Sequence, residues 1–403
     1  MMKPIPTAQR NGTGLHAVTM TLFFAASSTP SPLYPLFQHR WHFSPLTLTV
    51  VYAVYSLALL AALLTAGGLS DQLGRRPVIL AAVGLELLSM LLFIGAPDVG
   101  WLVGARVVQG VATGLATAAL GAAIMDADHA HGSFLNATLP MLGLGAGALG
   151  SSFLARWAPM PLHLGFGLLT VLFAVQGVLT LRHVEPPRPD HPASPRRPFP
   201  LRPRIAVPDQ ARAALLAASP VAIALWALGG FFLSLLPSLM LKVAGGVGGL
   251  ASGIAVAVLT GSAMAATVVA RRHPPALMLP LGAAALLAGT GGILAGVHLA
   301  SVGLLAAGSV LAGIGFGTGW FGSIGSVMPL APPQERAALM SAFYVECYLA
   351  NALPVMVAGA AVGRFGLIRT ADGYGAAIIV LSALAVLAAA ARLRQSRRPA
   401  LSG

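Results

Sequence analysis

Long apolar runs separated by short polar turns make up almost all of this 403-residue chain. A helix that crosses a bilayer needs about 20 mostly apolar residues. Runs of that length fall at 14–37, 44–66, 77–96, 100–125, 134–156 and 162–182, then at 214–241, 248–270, 276–297, 300–328, 338–362 and 373–393. The pattern predicts twelve helical spans. It changes character once, over 183–213, where Pro186, Pro187, Pro189, Pro192, Pro195, Pro198, Pro200, Pro203 and Pro208 alternate with arginines. Proline at that density removes amide donors and fixes φ, so this stretch is expected to be a solvated, semi-extended connector. The chain is therefore expected to hold a six-helix half (1–182), a linker (183–213) and a second six-helix half (214–403).

Composition leaves one comfortable class. Hydrophobic residues make up 57% of the chain and charged residues only 9%, against about 25% charged in soluble domains. Too little polar surface is available to cover such a chain in water, so an all-α integral membrane protein is expected. The single cysteine, Cys347, excludes a disulfide framework. Lys3, Arg10 and the apolar run that follows imitate a secretory leader. The run continues through Tyr34, Leu36 and Phe37, however, so it reads as a retained first span.

The net charge of +13 could suggest nucleic acid, but the basic residues sit in turns between spans. With a cytoplasmic N-terminus, eighteen Lys and Arg fall on the cytoplasmic side and five on the other, with Arg106 left inside a span. That is the positive-inside bias of a membrane protein with both termini cytoplasmic, and no nucleic-acid partner is expected.

One turn is more specific. Gly67-Gly68-Leu69-Ser70-Asp71-Gln72-Leu73-Gly74-Arg75-Arg76 lies between the second and third spans. Gly67 and Gly74 suit a tight connection. Asp71 can accept from arginine, and Arg75 and Arg76 can grip carboxylates or lipid phosphates as forks. The Gly-x-Leu-Ser-Asp-x-x-Gly-Arg-Arg pattern resembles the signature loop of the major facilitator superfamily of secondary transporters, in an efflux-like bacterial form. The resemblance implies two pseudo-symmetric six-helix halves and a loop that locks their cytoplasmic ends through Gly67, Leu69, Asp71, Gly74, Arg75 and Arg76. Gln72 stands where the family usually has a basic residue. Gly110-Val-Ala-Thr-Gly114 in the fourth span aligns with Gly315-Phe-Gly-Thr-Gly319 in the tenth, an internal repeat at an offset of about 205 residues.

Ionisable residues inside spans are functional candidates, because charge is expensive in hydrocarbon. Arg106, with Gln109 one turn on, resembles the fourth-span motif of proton-coupled members; the alternative is an arginine snorkelling to the headgroups. Glu346 lies near mid-depth among Tyr344, Tyr348 and Asn351 and is the preferred proton site. Glu86 is at similar depth but stands alone as an ionisable group among Leu and Val, so a structural role is the stronger reading. Asp126, Asp128, His129 and His131 could ligate a metal, yet they end a span on the watery side and read as a solvated loop. No cofactor or metal is expected.

Two spans carry matched interruptions: Ser27-Ser28-Thr29-Pro30-Ser31-Pro32-Leu33-Tyr34-Pro35 in the first and Ser234-Leu235-Leu236-Pro237-Ser238 in the seventh. Proline frees backbone carbonyls, and neighbouring hydroxyls either satisfy them or face a water-filled cavity. Paired interruptions point to a substrate pathway, which Trp226, Phe231, Trp320 and Phe321 could also line. In the fifth span Gly143, Gly145, Gly147 and Gly150 permit close helix contact. The Gly-Pro typical of the family's drug/proton antiporters is absent there.

The expected function is transport of a small solute by alternating access, with protons as the coupling ion and export as the direction. An uptake symporter or uniporter is the alternative, and a non-transporting membrane sensor a minor one. Neither a phosphate-cradling Gly-x-x-x-x-Gly-Lys run nor His-Glu-x-x-His or Gly-x-Ser-x-Gly occurs. ATP coupling and intramembrane hydrolysis are therefore unsupported. The bilayer is the environment, a cell inner membrane the expected location and a monomer the expected state.

Overall fold

The structure, a computed structural model, describes residues 7–183, 205–244 and 248–396; these residues form helices joined by short turns and contain no strand. The first predicted span is α1 (Thr7–Ser28) and α2 (Tyr34–Trp41), joined through a 3-10 turn at Ser31–Leu33. There follow α3 (Pro45–Ala66), a short α4 (Leu69–Leu73), α5 (Arg75–Ile94), α6 (Val99–Ala127), α7 (Gly132–Trp157) and α8 (Leu164–Arg182). The seventh predicted span is α9 (Asp209–Ser234) with α10 (Leu236–Ala244). The rest are α11 (Gly248–Ala270), α12 (Pro275–His298), α13 (Val302–Val327), α14 (Arg336–Phe365) and α15 (Leu367–Ser396). Eleven of these, among the described residues, are long and apolar enough to cross a membrane. With the interrupted first span they make the twelve of the hydrophobic pattern. Of the connector 183–213, residues 184–204 lie outside the described residues, as do Lys3, Arg397 and Arg398.

The helices gather into two compact units, Met1–Phe43 with Val50–Arg204, and Ser44–Thr49 with Ile205–Gly403. Hydrocarbon gives no hydrophobic drive for helix association, so contact depends on small residues that let backbones approach. In the first unit Gly143 and Gly147 of α7 lie on α1. A Cβ on Gly143 would stand 2.7 Å from Phe24 Cβ, and one on Gly147 would stand 2.6 Å from the Ala25 carbonyl carbon. Gly150 meets nothing within 4 Å, so the glycine run of the fifth span is only partly a contact face.

The internal repeat is present but displaced. Gly110 and Gly114 press on α3: a Cβ on Gly110 would stand 3.0 Å from the Leu59 nitrogen, and one on Gly114 2.7 Å from the Leu59 oxygen. In the second unit the glycines that press on α11 in the same manner are Gly313 and Gly317, at Ser262 and Ala263. Gly315 instead packs on α12, where an added Cβ would stand 2.6 Å from the Leu286 nitrogen. The structural counterpart of the Gly110–Gly114 pair thus lies two residues before the stretch that the sequence aligns. A run of glycines at every second position, 313, 315, 317 and 319, matches in either frame, and only the neighbouring helices separate them.

Candidate functional site

The break in the first span follows from its prolines. In a continuous helix the amide of residue i+4 donates to carbonyl i. Pro30 cannot serve Ala26, and Pro32 cannot serve Ser28. The hydroxyls of Ser27, Ser28 and Thr29 turn back on the helix, to the carbonyls of Phe24 (2.8 Å) and Ala25 (3.1 and 2.8 Å). All three residues are buried. Of the two roles open to these hydroxyls, they take backbone satisfaction. Three carbonyls at the break, that of Ala26 among them, are met from other helices. Gln109 Nε2 donates to Ala26 O at 3.0 Å, Arg106 Nη1 to Ser27 O at 2.9 Å, and Ser151 Oγ to Thr29 O at 2.7 Å.

Arg106 is completely buried, which rules out snorkelling. Its Nε donates to the Tyr34 hydroxyl at 2.9 Å and Nη2 donates to the same oxygen, while Nη1 also reaches Gln109 Oε1 at 2.6 Å. The guanidinium carbon sits over the rings of Tyr34, Tyr55 and Phe93 at 5.5, 5.1 and 6.0 Å. An arginine at the centre of a spanning helix costs about 2.5–3.5 kcal/mol on insertion scales. Hydrogen bonds to a charged group return roughly 1.5–3 kcal/mol each, so these bonds offset a cost of that size.

Gln109 then passes the contact on. Its amide oxygen accepts from Arg106, one N–H serves Ala26, and the other reaches Glu86 Oε1 at 3.1 Å. Only this orientation of the amide satisfies all three partners. Glu86 is fully buried, and its Oε2 has no hydrogen-bond partner. Reading α5 alone leaves Glu86 isolated; its partner comes from α6, 23 residues later in the chain.

The Gly67–Arg76 turn is tied within the first unit. Gly74 has φ 101° and ψ 156°, a region essentially restricted to glycine. Arg75 pairs with Asp71, donates from Nε to Asp126 Oδ2 at 3.1 Å and from Nη1 to Ser70 Oγ at 2.8 Å. Arg76 donates to the Leu181 carbonyl in the last turn of α8, where carbonyls lack helical partners. The ends of α4, α5, α6 and α8 are thereby fastened together, with Leu69 opening α4. The corresponding connection between α11 and α12, Arg271–Pro274, is a simple turn without a short helix. The ion pair is exposed at Asp71, which limits it to about 1 kcal/mol of stability. Asp71→Asn is therefore expected to leave insertion and stability within about that amount and still to impair transport. Unchanged initial rates at equal expression would remove Asp71 from the switching role.

The 126–131 run is a structured turn. Asp126 is held by Arg75. Asp128 accepts from the amides of Ala130 (3.1 Å) and His131 (2.9 Å) and from His131 Nδ1 (3.1 Å). The His131 amide, chief among these donors, holds the Asp128 carboxyl below the usual carboxylate range. No group of three or more metal-ligating side chains exists among the described residues.

The second unit has its own polar point. Glu346 Oε2 accepts from Ser219 Oγ of α9 at 2.9 Å, and Oε1 is buried without a partner. Nearby on α14, Asn351 Nδ2 donates to the Trp226 carbonyl at 3.0 Å. Trp226 meets Tyr348 and Trp320 at ring separations of 4.7 and 5.7 Å; Trp320 also meets Phe343, and Tyr344 meets Tyr348. Phe231 packs on Tyr374, and Phe321, half-buried, joins no ring pair among the described residues. Ser234 closes α9, with its hydroxyl on the Gly230 carbonyl. Pro237 has no amide hydrogen with which to continue the helical bonding of α9, and the chain kinks at Leu235. The two interruptions are therefore unequal: an open turn in the first span and a one-residue kink in the seventh.

No curated protein matches the chain. Among solved structures it is similar to a bacterial homolog of the human lysosomal transporter Spinster, crystallised in an inward-facing and unoccupied conformation. The TM-score is 0.78 at 14% identity, covering 98% of this chain and 99% of that one. It is also similar to a mutant of the nucleoside transporter NupG, with TM-score 0.72 and 14% identity over 93% of this chain and 98% of that one. At such identities the likeness speaks for the fold. The family model described as Major Facilitator Superfamily matches residues 17–355, most of the length and both units. With twelve spans, two broken helices and the Gly67–Arg76 turn in place, this chain belongs to the major facilitator superfamily, and it is a multi-pass secondary transporter.

Proposed function

We propose that the protein exports a small amphipathic or weakly charged solute in exchange for protons, as a monomer in the inner membrane, with both termini cytoplasmic. The six-helix halves joined at 183–213 would give the solute access to one side of the membrane and then the other. The observation that carries proton coupling is that Glu86 and Glu346, each inside a span, bury one carboxyl oxygen with no hydrogen-bond partner. An ionised oxygen left without a donor away from water is costly. Each group is thus stable as the neutral acid when dry and can release its proton when water enters. Glu346 lies two residues from Tyr348, which with Trp226, Trp320 and Tyr344 forms a polar-edged aromatic face suited to an amphipathic solute. Ser27, Ser28, Thr29, Pro30 and Tyr34 would form the moving element opposite in role rather than the solute face. The orientation rests on the excess of Lys and Arg on one side.

A susceptibility panel of amphipathic toxic compounds, run with and without expression, tests direction. Expression is expected to raise tolerance to a subset, and a protonophore to abolish the gain. Greater accumulation of solute on expression would replace export by uptake, and tolerance that survives collapse of the gradient would remove the proton. Glu346→Gln is expected to lose proton-driven transport; a variant still fully proton-driven would take Glu346 out of the mechanism.

A further inference from the structure

The polar cluster of the first unit contains a cation and a carboxyl that do not touch. No carboxylate oxygen among the described residues lies within 4.0 Å of the Arg106 nitrogens; Gln109 stands between Arg106 and Glu86. Two opposite charges so close in a low-dielectric site would be drawn into direct contact. The separated arrangement, with one Glu86 oxygen unpartnered, fits a neutral carboxylic acid. Arg106 is then free to spend its donors on the Ser27 carbonyl and on Tyr34, which lie on either side of the break in the first span.

We propose that Glu86 is a proton-binding residue whose charge is read by the break between α1 and α2. With Glu86 neutral, Arg106 clamps the Ser27 carbonyl to the Tyr34 hydroxyl, and Gln109 holds Ala26. When water admitted to the cluster takes the proton from Oε2, the carboxylate becomes a stronger acceptor for both Gln109 and Arg106. The guanidinium moves toward it and its bonds to Ser27 and Tyr34 lapse. The Ser27 carbonyl and the Tyr34 hydroxyl, on either side of the break, lose the donor they share, so the 26–34 stretch opens. The groups that face Glu86 are few. Arg106 comes from α6, Tyr34 and Tyr55 stand across the cluster from α2 and α3, and α8 carries no ionisable side chain between Leu164 and Leu181. Among the described residues no second carboxyl bonds to this cluster to share the proton. Glu86 acts through Arg106, so it is a positioning residue for the helix break. The inference rests on the proton-coupled reading of the transporter but concerns a different residue from the one beside the aromatic face.

The test needs no substrate. Hydrogen exchange of the full-length protein in lipid nanodiscs, followed over residues 26–36, is normalised at each pH to an unstructured peptide of the same sequence. In the parent protein protection is expected to fall as pH rises, by up to about tenfold per pH unit for an opening linked to one proton. Glu86→Gln is expected to keep the protected pattern at every pH, and Glu86→Asp to retain a pH-dependent step. In parallel, infrared difference spectra should show a protonated carboxyl band, in an apolar setting, that Glu86→Gln removes and Glu346→Gln leaves. A pH-dependent opening that persists in Glu86→Gln, or a band untouched by that change, overturns the proposal. If the opening and the band behave as expected while transport proves independent of the proton gradient, the clamp stands and proton-coupled export fails.

Discussion

Replacing Arg106 by lysine is expected to abolish transport and to destabilise the first unit by about 1–3 kcal/mol, although charge and length are nearly kept. The guanidinium meets Tyr34, Ser27 and Gln109 from three nitrogens in one plane. A lysine ammonium is a compact point donor on a flexible stem and lacks that fork. At least one of the three buried acceptors would be left without a donor, at roughly 1–3 kcal/mol. The stacking of a planar cation against three rings is lost as well. Chemical denaturation followed by tryptophan fluorescence in detergent, with transport assayed at equal expression, measures both effects. A lysine variant as stable and as active as the parent would show that the geometry of the cluster is incidental. Tyr34→Phe offers a milder probe, since it removes the one oxygen that two guanidinium nitrogens share and leaves the ring in place.

Gly147→Ala is the second large effect. The added methyl would collide with the Ala25 carbonyl and the Ser28 hydroxyl, at the start of the break. Overpacking of this kind costs about 1–3 kcal/mol, and here the obstacle is backbone, which cannot rotate away. The contrasting change is Gly150→Ala, one turn on in the same helix. It meets open space and gains helix propensity of up to about 1 kcal/mol. Thermal denaturation in detergent should therefore separate two chemically identical substitutions, the first lowering and the second preserving or raising the midpoint. Equal midpoints would mean that α7 does not rest on α1 as closely as described.

Both effects depend on residues whose partners are far away in the chain, which marks the limit of what the sequence discloses. The spans are legible because a bilayer demands length and apolarity within one continuous stretch. The breaks are legible because proline acts on its own carbonyl neighbours, and the Gly67–Arg76 turn because its pattern is local. Arg106 and Gln109 share a helix face, so their pairing is legible too. Glu86 is not, because nothing within its own helix reveals that Gln109 will reach it from α6. Nor can sequence alone choose between Gly313 and Gly315 as the partner of Gly110, since alternate glycines offer two faces and only the neighbouring helix decides. Ser219, the partner of Glu346, is likewise hidden, because 127 positions separate them.

The cluster grips the first span by its main chain. Arg106 and Gln109 bond to the carbonyls of Ser27 and Ala26, groups that every amino acid possesses. Substitutions at positions 26 and 27 can therefore change side-chain chemistry without erasing the anchor, provided the added bulk fits. Anchoring and side-chain identity are under separate control at this point. Variation during divergence, or in a selection for new solutes, has room to act here while the fastening stays in place.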